Sequence, residues 1–414
     1  MNKNFLFVSV VTIVVSTIIT LLLYKQIVYP TIIPMKINNA ISIFGDWFPI
    51  MSANICKWDG IDVYIENPCD PWGRPHVYGP TWLYIPFVDQ FKKFYFFYLP
   101  IIFNFIFIFV VINFFKFDKK FKTLLFIVLP NFYGKTLISL FYIFSVSTLL
   151  AVERANNDII IFLIVVLLAR YRNIFINYFL ILFATFSKFY PLCLCIIYLF
   201  KKGIKNIFYH FSFLLGLVLI FSYFQYDNLI KIFEVRNLFS SVGVYGFSFF
   251  ASYKTFININ NFILQILFLI PILLIYLKLF KKNFKNDEIL NFFQNDVYEN
   301  RLYLLSSTTI LTCYFVFSNF IYREIFLIGL IPWIIVNRDK SSEGNFFNFY
   351  FHFLTAKFFI SSILIFLNMN KIFEEYYLII RFMKHGLDFY LILIILYVFI
   401  ISFFSLTKNL LKQT

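Results

Sequence analysis

Charged residues are scarce in this 414-residue chain: Asp, Glu, Lys and Arg make up 14% of it, against 61% hydrophobic residues. Soluble globular proteins carry about 25% charged residues, so this scarcity excludes a soluble domain of ordinary composition. The mean hydropathy of +0.80 instead predicts an all-α, polytopic membrane protein.

Acidic residues are also few, 21 against 36 basic ones, which gives a net charge of +15. A charge of this size can indicate nucleic-acid binding. In this chain, however, the lysines and arginines cluster in short segments between apolar runs, as cytoplasmic loops of membrane proteins do. No nucleic-acid-binding motif accompanies them, so we expect no nucleic-acid partner.

Nucleotide-binding motifs are missing as well, since the chain contains neither GxxxxGK[ST] nor GxGxxG. The longest predicted cytoplasmic loop, 279–302, is too short to fold alone, and neither a short tandem repeat nor an inverted repeat is evident. The sequence therefore predicts a single integral membrane domain over 1–414. We expect about twelve membrane segments, some of them short or broken.

The distribution of basic residues predicts the orientation in the membrane. The first apolar run, 5–23, has no small-x-small cleavage site and is expected to be an uncleaved span. The second, about 95–115, is followed by a cluster of lysines that predicts a cytoplasmic loop: Lys116, Lys119, Lys120 and Lys122. We therefore predict an extracytoplasmic first loop over 25–94, a second extracytoplasmic segment over 224–261, and cytoplasmic N- and C-termini. A bacterial plasma membrane is the expected location.

Three shorter segments are predicted to form short helices that do not cross the membrane on their own. Residues 175–187 and 190–200 are each too short for an upright span and predict a pair of short helices with its apex outside. Residues 371–386 predict a short amphipathic helix at the membrane interface, followed by a separate last span over 388–406.

The first loop contains a polar, structured-looking segment, 45–86. It holds four of the five tryptophans of the chain: Trp47, Trp58, Trp72 and Trp82. Cys56 and Cys69 also lie in this segment, and the sequence leaves open whether they form a disulfide. Four carboxylates of the segment are candidate ligands for a divalent cation, but their separation on a proline-rich loop favours no metal site: Asp59, Asp62, Glu66 and Asp70.

Polar residues at the outer ends of apolar runs are candidates for function, because a charge near lipid is costly. Asp46 is a candidate general base or a loop acid. The segment Glu153–Asp158 either caps the following helix or forms a polar floor for a substrate. Lys188 and Arg323 either bind a phosphate or form salt bridges and snorkel. All of them fall on the same side in the predicted topology.

These residues and their order resemble the GT-C glycosyltransferases that use polyprenyl-phosphate sugars, in particular glycosyltransferase family 87 and its bacterial relatives. The resemblance is carried by an Asp after the first span and by four later elements: Asp46, Gly60–Tyr64, Tyr78–Trp82, Glu153–Asp158 and Lys188–Pro191. The third of the later elements resembles Glu-Arg-Gly-x-x-Asp and has Ala155 in place of the glycine.

The resemblance implies a GT-C-like fold and the inverting transfer of a hexose, mannose-like, from a polyprenyl-phosphate donor to a lipid or glycan acceptor at the extracytoplasmic face. It implies that Asp46 is the base. We expect Lys188, Arg323 and Arg154 to hold the donor phosphate, and no cofactor. The expected substrate-binding residues are Trp47, Asp62, Tyr64, Tyr78, Trp82, Glu153, Asn157, Asp158 and Tyr190.

Two alternatives stay open. A transporter or flippase of a lipid-linked sugar needs similar charges within the membrane, although the large first loop and the lack of repeats favour the enzyme. A non-catalytic membrane scaffold is the second alternative, and it predicts that Asp46, Lys188 and Arg323 tolerate substitution.

Overall fold

Helices account for nearly all of the regular structure, as long apolar runs predict for a chain that must pair its backbone groups internally. The structure is a computed structural model, and it describes residues 10–19, 36–37, 40–41, 43–114, 139–200, 204–236, 244–245, 295–316, 319–340, 345–369 and 377–411. Within these ranges the strands are two residues long and form two antiparallel pairs: Lys36–Ile37 with Ala40–Ile41, and Val244–Tyr245 with Asn319–Phe320.

The helices follow one another with few long interruptions in the described ranges. In the first half of the chain they are α1 (Val10–Ile19), α2 (Phe48–Trp58), a 3-10 helix (Pro80–Tyr84), a π-helical turn (Phe94–Tyr98) that continues into α3 (Leu99–Phe114), α4 (Val146–Arg154), α5 (Asp158–Arg170) and α6 (Ile174–Lys188). They are followed by a 3-10 helix (Tyr190–Phe200), α7 (Ile204–Phe224), α8 (Tyr226–Arg236), α9 (Tyr298–Val316), a 3-10 helix (Ile321–Glu324), α10 (Ile325–Ile328), α11 (Ile331–Lys340), α12 (Asn345–Met369) and α13 (Tyr377–Leu411).

The chain divides into two compact units, each described by itself. The first comprises Met1–Lys116, Phe121–Leu192 and Phe211–Phe239. The second comprises Phe117–Lys120, Cys193–His210 and Ser240–Thr414. The candidate site described below lies within the first unit.

Three helices in the described ranges are long and apolar enough to cross a membrane: Phe94–Phe114, Lys205–Phe224 and Met383–Phe403. Shorter apolar helices are Val10–Ile19, Ile174–Lys188 and Tyr190–Phe200. The total of about twelve segments stays a prediction. Two further apolar runs are expected to enter the membrane, 123–152, interrupted by Pro130 and Gly134, and 262–278. The second of them, the first part of 123–152 and much of the 224–261 segment lie outside the described residues.

The predicted pair of short helices is present, as α6 and the 3-10 helix that follows it. Phe189 separates them with φ 61° and ψ −53°, a backbone conformation that bulky residues rarely adopt. Pro191 has no N–H group to continue the hydrogen bonds of α6. The break therefore places Lys188 at the very end of α6, and the site depends on that position.

The prediction of a separate amphipathic helix ending at 386 is wrong, because α13 is continuous from Tyr377 to Leu411. In the sequence, three polar residues lie where the two predicted segments meet: Lys384, His385 and Asp388. The structure instead buries them and pairs them: the Lys384 Nζ lies 2.8 Å from Asp388, and the Lys357 Nζ of α12 lies 3.0 Å from it. Paired charges are tolerated inside packed membrane helices, so they do not end this one.

The first loop is held together by a small core of its own around the end of α2. A disulfide joins Cys56 to Cys69, and Val63, Tyr64 and Leu83 pack beside it. The Asn54 side chain donates hydrogen bonds to the carbonyl oxygens of Trp82 and Ile85, each at 3.0 Å, which fixes the 3-10 helix against α2.

The loop is docked onto α6 through backbone groups. The Gly79 N–H donates to the carbonyl of Ser187 at 3.0 Å, and the Trp82 indole N–H donates to the same oxygen at 3.3 Å. Gly79 is required at this contact because a Cβ atom would lie 1.7 Å from the carbonyl oxygen of Phe186. This docking brings the first loop beside Lys188.

Candidate active site

Asp46 lies just before α2, where the chain is tied to the end of α4. The backbone N–H of Phe44 donates to the carbonyl of Glu153 at 2.7 Å, and that of Asp46 donates to the carbonyl of Arg154 at 3.1 Å. These two bonds resemble a short stretch of sheet between the loop and the helix end. They fix the backbone of Asp46 independently of its side chain.

The Asp46 carboxylate accepts two hydrogen bonds. Its Oδ1 lies 3.2 Å from Nη1 of Arg154, and its Oδ2 accepts a bond of 2.8 Å from the side-chain amide of Asn156. The side chain is 15% exposed. A carboxylate has about four acceptor positions, so two of them are left for a ligand.

Asn156 connects Asp46 to the rest of the site. Its Oδ1 accepts bonds from the backbone N–H of Asp158 at 2.9 Å and from the Lys188 Nζ at 3.0 Å, while its Nδ2 donates to Asp46. The capping interpretation of the Glu153–Asp158 segment therefore holds for Asn156, because its side chain accepts from an N–H at the start of α5. A polar floor for a substrate stays a prediction.

Lys188 completes the network from the end of α6. Its Nζ lies 2.7 Å from Oδ1 of Asp158 and 5.6 Å from the centre of the Tyr78 ring. The Tyr190 hydroxyl donates to the same Asp158 oxygen at 2.5 Å. The Asp158 side chain is fully buried and that of Lys188 is 8% exposed, so Asp158 holds the ammonium group in a largely buried position.

Together these contacts form a continuous polar network, which we call the Asp46 network: Asp46, Arg154, Asn156, Asp158, Lys188 and Tyr190. The buried Glu153 adds a further carboxylate, its Oε1 being 3.7 Å from Nε of Arg154. Asn157 is also fully buried, between Asn156 and Asp158 in the chain. Two cations are thus held by acids within one partly open cluster.

Backbone conformations of high energy flank this network. Four non-glycine residues in the described ranges have positive φ: Phe44, Phe87, Ala155 and Phe189. Three of these adjoin the network. Phe44 lies two positions before Asp46, Ala155 lies between Arg154 and Asn156, and Phe189 follows Lys188. Such conformations cost about 1–3 kcal/mol each and concentrate at functional sites, which supports a functional interpretation of the network.

A second ion pair, which the sequence reasoning missed, positions Asp46 from the loop side. Arg74 forms a bidentate pair with the buried Asp70, with distances of 2.9 Å from Nε and 3.0 Å from Nη2. The same Nη2 donates to the carbonyl of Gly45 at 2.7 Å. The separation of 29 residues between Arg74 and Gly45 explains why no local pattern indicated this contact.

The two tryptophans predicted to bind substrate lie in packed positions. Trp47 is 1% exposed and donates its indole N–H to the carbonyl of Tyr95 at 2.7 Å. Its ring lies 5.6 Å from that of Trp82, edge to face, and Trp82 is 4% exposed. Both support the loop beside Asp46, and Tyr78 is the aromatic ring of the loop that approaches Lys188.

Asp62 and Tyr64 make their contacts elsewhere in the loop. The Asp62 carboxylate lies 2.6 Å from the Lys231 Nζ of α8, and Tyr64 packs in the core beside the disulfide. Burial raises the pKa of Tyr64 above its usual value. The described contacts of these two residues thus join the loop to α8 rather than to the Asp46 network.

His76 lies in the same core, with its ring between those of Tyr64 and Tyr78 at centroid distances of 5.4 Å and 5.8 Å. It is 1% exposed. Burial lowers its pKa to about 4, although the nearby carbonyls of Gly79 and Pro49 oppose the shift. His76 is therefore neutral at physiological pH and forms part of the packing beneath Tyr78.

Arg323 belongs to the second unit, where it lies in the 3-10 helix Ile321–Glu324 and is 8% exposed. The adjacent Glu324 lies 2.6 Å from the Lys357 Nζ, which also pairs with Asp388. Sequence reasoning missed this buried group, although the charges within the apolar runs 348–367 and 388–406 were a usable signal.

Comparison of the chain with family models, with curated proteins and with solved structures finds no match. The geometry of the site is therefore the basis for assigning a function.

Proposed function

We propose that this protein is a membrane glycosyltransferase that moves a hexose, mannose-like, from a polyprenyl-phosphate donor to a lipid or glycan acceptor. The observation that carries the proposal is the Asp46 network. A half-buried carboxylate with free acceptor positions lies 3.2 Å from one cation and is joined through Asn156 to a second. Inverting transfer from a lipid phosphate needs a base and a cationic site for the leaving group.

In the proposed reaction the acceptor hydroxyl attacks the anomeric carbon of the sugar while Asp46 takes its proton. A bond forms between the acceptor oxygen and the anomeric carbon, and the bond from that carbon to the phosphate oxygen breaks. The electron pair of the broken bond stays with the lipid phosphate, whose negative charge grows. Arg154 and Lys188 stabilise that charge, so the mechanism assigns no step to a metal ion.

The Asp46–Arg154 contact couples the two halves of this reaction. While Asp46 is ionised, it holds the Arg154 guanidinium at 3.2 Å. Protonation of Asp46 weakens this attraction at the moment when the leaving phosphate gains charge. Arg154 is then more strongly attracted to the phosphate, which favours the transition state over the bound substrates.

We place the reaction at the extracytoplasmic face, with both termini in the cytoplasm. The Cys56–Cys69 disulfide in the first loop supports this side, because disulfides persist in oxidising compartments. His76 packs beneath Tyr78, the ring of the loop that approaches Lys188.

The test is a transfer assay in membranes that contain the protein. Labelled polyprenyl-phosphate hexoses are supplied one at a time, and the label is followed into glycolipid. We expect transfer from at least one donor, and equal transfer by Asp89→Asn, an exposed acid paired only with Lys92 among its described contacts. Translocation of the lipid without any product, in well-expressed protein, would overturn the proposal in favour of a flippase.

A further inference from the structure

The segment 67–74 of the first loop folds back along α2. Near the end of the helix, the disulfide joins Cys69 to Cys56. At the start of the helix, the Trp72 ring lies edge to face with the Phe48 ring, and their centroids are 6.1 Å apart. The segment is therefore fixed near both ends of α2, and it reaches the residues that precede the helix, among which is the proposed base.

Arg74 is the residue of this segment that contacts them. Its guanidinium is held by Asp70, whose side chain is fully buried and accepts bonds of 2.9 Å from Nε and 3.0 Å from Nη2. The backbone N–H of Arg74 donates to the same carboxylate at 3.0 Å. The guanidinium also lies 4.4 Å from the centre of the Trp72 ring, a distance typical of a cation–π contact. These contacts leave few rotations to the side chain, so Nη2 has a fixed position.

The group that Arg74 contacts is the peptide between Gly45 and Asp46. The carbonyl oxygen of this peptide accepts a bond of 2.7 Å from Nη2 of Arg74, and its N–H donates to the carbonyl of Arg154 at 3.1 Å. A peptide unit is planar, so bonds to both of its polar groups restrain rotation of the whole plane. Because the Cα atom of Asp46 belongs to that plane, the two bonds together limit how far its carboxylate can move.

We infer that Arg74, held by Asp70, is the positioning residue of Asp46. The inference rests on the proposed function for the role of Asp46 as a base, but the restraint on the peptide before Asp46 does not depend on it. A general base must lie within hydrogen-bond distance of the hydroxyl that it deprotonates. A misplacement of about 1 Å can lower a rate about 10²-fold, so a fixed peptide at this position favours transfer.

The planar fork of arginine explains why this residue type fits the position. Nη2 carries two protons, one for Asp70 and one for the carbonyl of Gly45, while Nε bonds the other Asp70 oxygen. Lysine has the same charge, but all of its donors are on one nitrogen at the end of a flexible chain. Arg74→Lys should therefore keep the charge beside Asp70 and lose the fixed geometry at Gly45.

Hydrogen exchange of the purified full chain, read by mass spectrometry of its peptides, tests the restraint without any substrate. Arg74→Gln removes both the charge and the fork. Lys231→Gln is the control, because it breaks a different ion pair of the first loop, with Asp62 at 2.6 Å. We expect Arg74→Gln to speed exchange over 44–47 by about tenfold, the factor for the loss of one hydrogen bond, without a change in α5. The control should change neither.

Unchanged exchange over 44–47 in Arg74→Gln would overturn the inference. If Arg74→Gln does not fold, Arg74→Lys, which keeps the charge, takes its place in the same measurement with the same expectation. Sugar transfer is not needed for this result. A wild-type protein that transfers no sugar from any donor would overturn the transferase, while the exchange rates would still decide the restraint.

Kinetics tests whether the restraint serves the base. Arg74→Lys should lower kcat by about 10- to 10²-fold, with little change in Tm or in the KM for the donor, and Lys231→Gln should keep the wild-type kcat. In the Asp46→Asn background, Arg74→Lys should lower kcat no further, since Arg74 acts through Asp46. A fall in kcat by the same factor in both backgrounds would show that Arg74 only stabilises the fold, and it would overturn the inference.

Discussion

The Asp46 carboxylate and the Arg154 guanidinium lie 3.2 Å apart, although 108 residues separate them in the chain. Both side chains are largely shielded, with 15% and 11% of their surface exposed. The pair joins the loop before α2 to the end of α4, at the point where two backbone hydrogen bonds already hold these segments together. The side chains are thus oriented by a backbone that is fixed without them.

Lys188→Met is expected to destabilise the protein, because it leaves the Asp158 carboxylate buried without its ammonium partner. Removal of one member of a buried ion pair typically costs about 3–5 kcal/mol. The double variant Lys188→Met/Asp158→Asn should recover much of this loss, since it removes the uncompensated charge. The free energy of unfolding, or Tm in a fixed detergent, measures both effects.

A sugar-transfer assay distinguishes a structural role of Lys188 from a functional one. If Lys188 binds the donor phosphate, the double variant regains stability but not activity. Full activity in the stable double variant would show that Lys188 only compensates Asp158.

Gly79→Ala is expected to undock the first loop from α6. The added Cβ atom would lie 1.7 Å from the backbone oxygen of Phe186, and backbone atoms cannot move aside as a flexible side chain can. We expect a loss of several kcal/mol, together with increased protease cleavage in the loop. The control is Gly216→Ala in α7, where an added Cβ atom meets no heavy atom within 4 Å. Equal stability of the two variants would contradict the docking contact.

The burial of His76 predicts a dependence of stability on pH. The folded protein keeps this ring neutral down to a pKa of about 4, whereas the ordinary pKa of an unburied histidine is 6.5. Between these values the unfolded chain binds more protons, so the contribution is complete above pH 6.5 and is lost as the pH falls toward 4. The loss reaches about 3 kcal/mol.

The comparison that isolates this effect is between the wild type and His76→Gln. Stability is measured across pH 4 to 7 for both proteins. The difference between their unfolding free energies should shrink as the pH falls from 6.5. A difference independent of pH would show that His76 titrates equally in both states.

The disulfide is expected to stabilise the first loop. Cys56 and Cys69 are 13 residues apart, and closing a loop of this length contributes about 3 kcal/mol in the chain-entropy model. Cys56→Ala/Cys69→Ala should lower Tm accordingly, and a reductant should lower the Tm of the wild type but not of the variant. In denaturant without reductant, a thiol reagent should label Cys193, Cys195 and Cys313. Labelling of all five cysteines would contradict the bond.

The sequence predicted the members of the Asp46 network better than their partners. Asp46, Arg154 and Lys188 were identifiable because polar groups at the ends of apolar runs stand out, and the basic loops predict that they lie on one side of the membrane. The contacts of the Asn156 side chain with Asp46, Asp158 and Lys188 were not predictable. They join α4, α5, α6 and the first loop, which are far apart in the sequence. The Arg74–Gly45 contact was hidden for the same reason.

Other differences between prediction and structure arise because the sequence does not show which residue a polar side chain will contact. Asp62 and Tyr64 looked like substrate contacts, but an ion pair with Lys231 and a place in the loop core account for their described contacts. Lys384 and Asp388 lie at the boundary predicted between two segments, but they pair inside α13 and with α12. Ala155 has a φ of 44°, a backbone conformation that favours glycine, and the resembling motif has glycine at this position.

The most direct test of the central claim is the transfer rate of Asp46→Asn at saturating donor and acceptor. Asparagine keeps an acceptor oxygen for Asn156 or Arg154 but does not take a proton from the acceptor hydroxyl. We predict that kcat falls by about 10²- to 10⁴-fold, the usual contribution of a general base, while Tm changes little and donor binding is not weakened. Transfer at the wild-type rate by Asp46→Asn would remove Asp46 from the proton transfer and contradict the proposed mechanism.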